Sequence, residues 1–205
     1  MKTLKLFTLF TILIGLSSCS SEDDNTPEIL DLETNTVTNL YAPQQGGQGS
    51  GEPESGEFTK FDFSMGTTTT SDTDWDIAFR GTKILLNGGV SSGLMDEPDR
   101  IGNGAAYLAT GEFGDIEAVN TTLLEQDSVN GLVLSNWYTY AGPPTHAITP
   151  TAGKILVIRT RSGAYAKVEI LSYYEDGQPN EDYTNFQYYT FKYVFQPNIG
   201  ETTFN

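Results

Sequence analysis

The sequence predicts an all-β protein: one sandwich- or barrel-like domain behind a flexible acidic N-terminal tether. Three observations carry this. Short runs rich in Val, Ile, Thr, Tyr and Phe recur along the chain, separated by Gly, Pro and Asn, as expected of many short strands joined by turns. Trp75, Ile77 and Phe79 alternate with Asp76, Ala78 and Arg80, the period of a half-buried strand. Helix signals are scarce, and the best window, residues 116–126, has Val119-Asn120-Thr121-Thr122 at its centre, all poor helix formers.

Each element follows in order. Residues 37–41 form the first apolar run and open the domain. Residues 44–56 contain Gly, Gln, Ser, Glu and one Pro and read as a flexible loop. Phe61 and Phe63 share a strand face, while Phe58 falls out of phase and marks an entry bend. Met65, before Gly66 at that strand's end, is expected in the core. After the 75–80 strand, Lys83-Ile84-Leu85-Leu86 ends at Asn87-Gly88-Gly89, a turn signal. Further strands are expected over 105–109, 132–141, 154–160, 165–174 and 187–195. Residues 161–164 close a hairpin between two of them.

The N-terminus carries a different signal. Met-Lys-Thr-Leu-Lys is a short basic start, followed by an apolar core over 6–16 that falls short of the ~20 residues a membrane helix needs. With the small residues after it, this is a signal peptide. Leu16-Ser17-Ser18-Cys19 resembles the lipobox of bacterial lipoproteins, and Cys19 is the only cysteine. Residues 1–18 are therefore expected to be removed, with lipid on Cys19, a tether over 19–35 and the domain over 36–205. Several acyl chains anchor a protein durably where one does not. Ser20-Ser21-Glu22-Asp23-Asp24 resembles the surface-export signal of some Gram-negative lipoproteins, so an outer-membrane, outward-facing location is expected. With its single thiol lipidated, the domain would have no disulfide.

The whole chain carries a formal charge of −16, and the chain beyond the signal peptide is more acidic still. That excludes a nucleic-acid partner, whose phosphates need a basic face. Catalytic signals are weak. There is one His, and no Gly-x-Ser-x-Gly elbow accompanies it. Among 27 acids a close carboxylate pair arises by chance, so glycosidase-type chemistry has no specific signal. Asp72-Thr73-Asp74 and Asp96-Glu97-Pro98-Asp99 lack EF-hand spacing and read as turns. The residues point to binding and not to an enzyme.

Several blocks resemble the HmuY family of bacterial haem-binding lipoproteins. They are 71–80 with Leu86-Asn87-Gly88-Gly89, Gly102-Asn103-Gly104-Ala105-Ala106-Tyr107, Asn136-Trp137-Tyr138 through Ala141-Gly142-Pro143, 154–170, and Tyr188-Tyr189-Thr190-Phe191-Lys192-Tyr193. Their order spans nearly the whole mature chain. The resemblance implies an all-β fold, haem captured between two axial side chains (His in some members, Met in others), and action with an outer-membrane haem receptor. In His-ligating relatives one ligand directly precedes the Gly-Pro of the third block; here that residue is Ala141. The other lies in an insertion whose counterpart here, 111–136, has neither His nor Met.

Substitute iron ligands are His146, five residues beyond Ala141, and Met95, in the loop over 91–103. Tyr138 and Tyr140, on one face of their strand, complete the candidate haem pocket, since imidazole, thioether and phenolate all ligate haem iron. Haem carboxylates would need cations, for which Arg80, Arg159, Arg161 and Lys154 are candidates. Arg80 has a rival role in pairing with Asp72, Asp74 and Asp76. The alternative function is a surface module that binds glycans or protein partners through aromatic loops.

Overall fold

The computed structural model describes residues 29–47 and 49–205; the signal peptide and Cys19 lie outside them. The strands are β1 Glu33–Tyr41, β2 Thr59–Asp62, β3 Thr67–Thr69, β4 Ile77–Arg80, β5 Lys83–Leu86, β6 Ala105–Thr110, β7 Tyr138–Tyr140, β8 Ile148–Pro150, β9 Lys154–Arg159, β10 Tyr165–Tyr174 and β11 Phe186–Gln196. They form a five-stranded sheet in the order β1-β11-β10-β9-β6, a four-stranded sheet β3-β2-β4-β5, and the hairpin β7-β8. All strand pairs are antiparallel, so the all-β reading holds.

The two larger sheets meet through a ladder of aromatic rings. Phe63 packs on Phe195 and Tyr193, Phe61 on Phe191, and Phe79 on Phe191 and Tyr189. Trp137 continues the ladder against Tyr189 and Tyr173. Offset and edge-on rings at these spacings each contribute about 0.5–1.5 kcal/mol beyond the area they bury. Phe61 and Phe63 face this core as their spacing predicts, although Phe63 lies just past the end of β2.

The outer face of each sheet is covered too. Phe58, Trp75, Ala78 and Leu85 form a second cluster behind β4 and β5, with Leu94 and Leu132 against it. Val119, Ile155, Val157, Tyr165, Val194 and Phe204 form a third behind the larger sheet. This corrects the half-buried reading of residues 75–80. Asp76, Ala78 and Arg80 are as buried as Ile77 and Phe79, because loops cover the face that a simple alternation leaves to water.

Other expectations shift for local reasons. β1 begins at Glu33, upstream of its apolar run, because its early residues pair with the end of β11. Residues 132–137 are not a strand: Val133 N–H is taken by Asp127 Oδ1 at 2.9 Å, and the Trp137 indole donates to Thr82 O at 3.0 Å. Met65 is 72% exposed, since the turn after β2 folds around Asp62, whose Oδ1 accepts from Ser64 and Met65 N–H. Residues 116–126 hold only a short 3-10 turn, Thr121–Leu123.

At the end of the sandwich where β1 starts, polar side chains fasten the sheets. Arg161 reaches Asp76 at 3.1 Å and Asp62 at 3.2 Å. Burial raises the Asp76 pKa above its ordinary value, against hydrogen bonds from Phe63 and Arg161 N–H. The acids near Arg80 in sequence therefore serve Arg161 instead, apart from Asp72, which pairs with Lys60. Asn87 donates to Thr73 and Trp75 carbonyls and accepts from Ile101 and Gly102 N–H. Beside it a Cβ on Gly88 would lie 2.1 Å from Gly104 O, so only glycine fits. Arg100, between Glu97 and Asp127, ties down the 91–103 loop.

Candidate functional site

The opposite end, where β1 finishes and β4 turns into β5, is open. Tyr173 and Tyr174 close β10 with consecutive side chains on adjoining surfaces, because the pairing with β11 is irregular between Ser172 and Tyr174. Gln187 has φ +72°, a left-handed kink that swings Phe186 off the regular alternation. Phe186 stacks on Tyr173 with 13° between planes, and Tyr183 meets Tyr174 edge-on at 6.1 Å. These rings, with Ile148 and His146, wall a cleft of about 480 Å³, within the ~300–1,000 Å³ of small-molecule sites. Gln44, Glu54, Gly81 and Thr82 complete it.

The β7–β8 loop supplies His146. Ala141 N–H donates to Ala147 O at 2.9 Å and His146 N–H to Gly142 O at 2.8 Å, curling the loop so that His146 takes φ +53°. Its Nδ1 is hydrogen-bonded to the Tyr140 hydroxyl. With the proton on Nδ1, this bond fixes the ring and leaves the Nε2 lone pair free for a metal. Tyr138 packs instead on Trp137, at 4.9 Å, and on the core. Met95 does not line the cleft; its side chain is 52% exposed, and its carbonyl accepts from Arg80 Nη1 at 2.6 Å.

Burial raises the pKa of Tyr173 and Tyr174 above the ordinary phenol value. Tyrosine ligates iron as phenolate, so these two side chains are apolar walls and His146 is the better donor. The expected carboxylate partners are elsewhere. Arg161 is in its acidic cluster, Arg159 donates to Asn103 O at 2.9 Å and Lys154 to Thr110 at 3.1 Å, and Arg80 is fully buried. None lines the cleft.

A second groove, of about 1020 Å³, runs over β2 and β3 between Glu57, Lys60, Thr68, Thr70, Asp72 and Glu97. It is larger, but hydroxyls and carboxylates dominate its walls.

The HmuY protein family model matches residues 54–188. The chain belongs to the HmuY family. The match reaches from the loop carrying Glu54 to the aromatic segment of β11, and so includes both walls of the cleft. No curated protein is matched by the sequence. Among solved structures, an apo HmuY analogue of Tannerella forsythia aligns with a TM-score of 0.53 at 14% identity, over 83% of this chain and 100% of that one. A candidate HmuY-like haem-binding protein of Bacteroides vulgatus gives 0.49 at 14%, over 83% and 97%. A candidate lipoprotein of Bacteroides fragilis gives 0.48 at 13%, over 82% and 93%. At these identities the Tannerella structure supports the fold, and the aromatic cleft has to be read from this chain's own residues.

The sequence brought forward His146 and Tyr140 from this site and missed Tyr173, Tyr174, Tyr183, Phe186 and Glu54. The available signal was the aromatic density over 173–193 combined with the glycine-rich loop over 44–56, which the fold joins at one end.

Proposed function

We propose that this HmuY-family protein binds haem or a related tetrapyrrole in the aromatic cleft, without catalysing a reaction, and serves haem and iron acquisition. The observation that carries the reading is the cleft itself: four aromatic side chains around a space of small-molecule size, with His146 at its wall and its imidazole oriented by Tyr140. Flat aromatic walls suit a porphyrin plane, and a neutral imidazole suits its iron. His146 would hold the iron of such a group, and the aromatic walls would cover one face of it. When bound, the haem would supply the iron that His146 holds. The chain would act as a lipoprotein anchored through Cys19 at the outer membrane, facing outward, and would pass its ligand to an outer-membrane haem receptor.

Titration of the purified protein with ferric and ferrous haem tests this. A saturable Soret shift, altered or lost in His146→Ala and kept in Met95→Ala, is the expected result. Absence of any shift in both redox states overturns the reading.

A second reading, a glycan-binding surface module, draws on the hydroxyl- and carboxylate-lined groove over β2 and β3. Glycan binding that is lost in Lys60→Ala and untouched by His146→Ala would favour it.

A further inference from the structure

The aromatic cleft has an acid where an anionic ligand needs a cation. Glu54 lines it and is engaged with Lys83 Nζ, the first residue of β5. Arg80 lies close behind, at the end of β4. Its side chain is fully buried, with Phe58 stacked under the guanidinium at 4.2 Å. Nη1 donates to Gly56 and Met95 carbonyls, but Nε and Nη2 have no partner among the described residues. Burial lowers the Arg80 pKa, and Glu54 is foremost among the carboxylates that oppose this. Glu54 makes its ion pair with Lys83, while Arg80 has no carboxylate within ion-pair distance among the described residues.

The segment that carries Glu54 is a glycine-rich loop held at its base, where Gly56 N–H donates to Asp96 Oδ2 and Gly56 O accepts from Arg80. Gly46, Gly47, Gly49, Gly51 and Gly56 all have positive φ, a conformation that costs side-chain-bearing residues more. The segment is fastened to itself by the Gln45–Ser55 bridge. Of these glycines, Gly49 and Gly51 have nothing among the described residues within 4 Å of the position of a Cβ, so the loop tip stands clear of the described part of the domain.

We propose that Lys83, just outside the cleft and paired with its lining residue Glu54, forms a carboxylate-binding subsite at the cleft's edge with Arg80 behind it, and that Glu54 occupies it as an internal stand-in until a ligand carboxylate displaces it. The ligand class is therefore an aromatic carboxylate, a flat apolar body bearing an acidic arm. The body lies on the Tyr173 and Phe186 side, and the arm reaches Lys83 as Glu54 swings out with its loop. Applied to a tetrapyrrole the idea rests on the haem reading above, but the subsite is testable without iron or porphyrin.

The test uses pyrenebutyrate and its uncharged counterpart pyrenebutanol, read by fluorescence anisotropy on the purified protein. Glu54→Gln is expected to tighten pyrenebutyrate by about tenfold and leave pyrenebutanol unchanged, since it frees a charged partner for the ligand. Lys83→Met is expected to abolish the preference for the acid. Asp115→Asn, which removes an exposed charge from another loop, controls for net charge and is expected to change neither. Equal gains for both probes in Glu54→Gln, or binding of neither probe, overturns the subsite. Haem and its dimethyl ester then separate the two claims. A pyrenebutyrate preference without haem binding keeps the subsite and discards the tetrapyrrole reading. Haem binding that Glu54→Gln strengthens no more than it strengthens binding of the ester discards the subsite alone.

Discussion

Where β1 begins, buried carboxylates and an amide hold the sheets together: Asp62 and Asp76 with the partly exposed Arg161, and Asn87 with four main-chain partners. Where β1 ends, rings meet rings, the main chain kinks at Gln187 and His146, and a cleft remains between them. The same β4–β5 hairpin spans both regions, with Asp76 just before it and Gly81 at its turn. Directional, fully paired polar contacts admit one arrangement. Aromatic packing tolerates small shifts and leaves an apolar surface for something else to cover. The first region specifies the fold, and the second keeps part of the core accessible.

Breaking the polar end is expected to cost most. Arg161→Ala leaves Asp62 and Asp76 buried without their cation, a loss of about 3 kcal/mol, read as a lower urea midpoint in chemical denaturation. If the midpoint barely moves, the cluster is not what joins the sheets. Gly88→Ala forces a Cβ into the Gly104 carbonyl and is expected to cost about 2 kcal/mol by the same measurement. At the open end the balance reverses. Phe186 is 44% exposed, so Phe186→Ala is expected to lower stability by about 1 kcal/mol or less while weakening haem by about tenfold in a Soret titration. A large stability loss with unchanged haem affinity would erase the contrast between the two ends.

The smallest effect is a pH dependence. The folded-state pKa of Asp76 lies above its unfolded value because of burial, so within that interval the folded protein binds more protons than the unfolded chain. This group's contribution to stability is therefore present at low pH and lost as pH rises through its folded pKa. Urea midpoints measured from pH 4 to 7 are expected to show this component in the parent and not in Asp76→Asn. A contribution that grew with pH would mean that the Arg161 pairing outweighs burial.

The long, local elements were legible in the sequence. Residues 154–174 form two strands and their short hairpin loop as expected, because β-branched runs flank a turn built from neighbours. Legibility failed where tertiary partners decide. The alternation holds over β4, but Trp75, expected with Ile77 and Phe79, packs with Ala78 on the outer face, and nothing local says that Phe58 and Leu94 come from elsewhere to cover that face. Arg80 lies beside three aspartates in sequence, yet the hairpin aims it at Gly56 and Met95 while Arg161, far along the chain, takes Asp74 and Asp76. The cleft was half visible for the same reason. Tyr140 and His146 share one short hairpin, whereas Glu54, Tyr173 and Phe186 line one cleft only because β4 and β10 end, and β11 begins, at the same end of the sandwich.

The direction of β1 has a consequence for how the molecule is held. Its first residue, Glu33, pairs with Phe195 at the polar end, and its last, Tyr41, pairs with Tyr188 beside the cleft. Just upstream, Leu30 exchanges hydrogen bonds with Asn198, so the incoming chain is fixed at the polar end before the strand begins. At about 3.3 Å per residue, a nine-residue strand sets these points roughly 25 Å apart. The described chain therefore enters the domain at the polar end, with the whole length of β1 between that entry and the cleft.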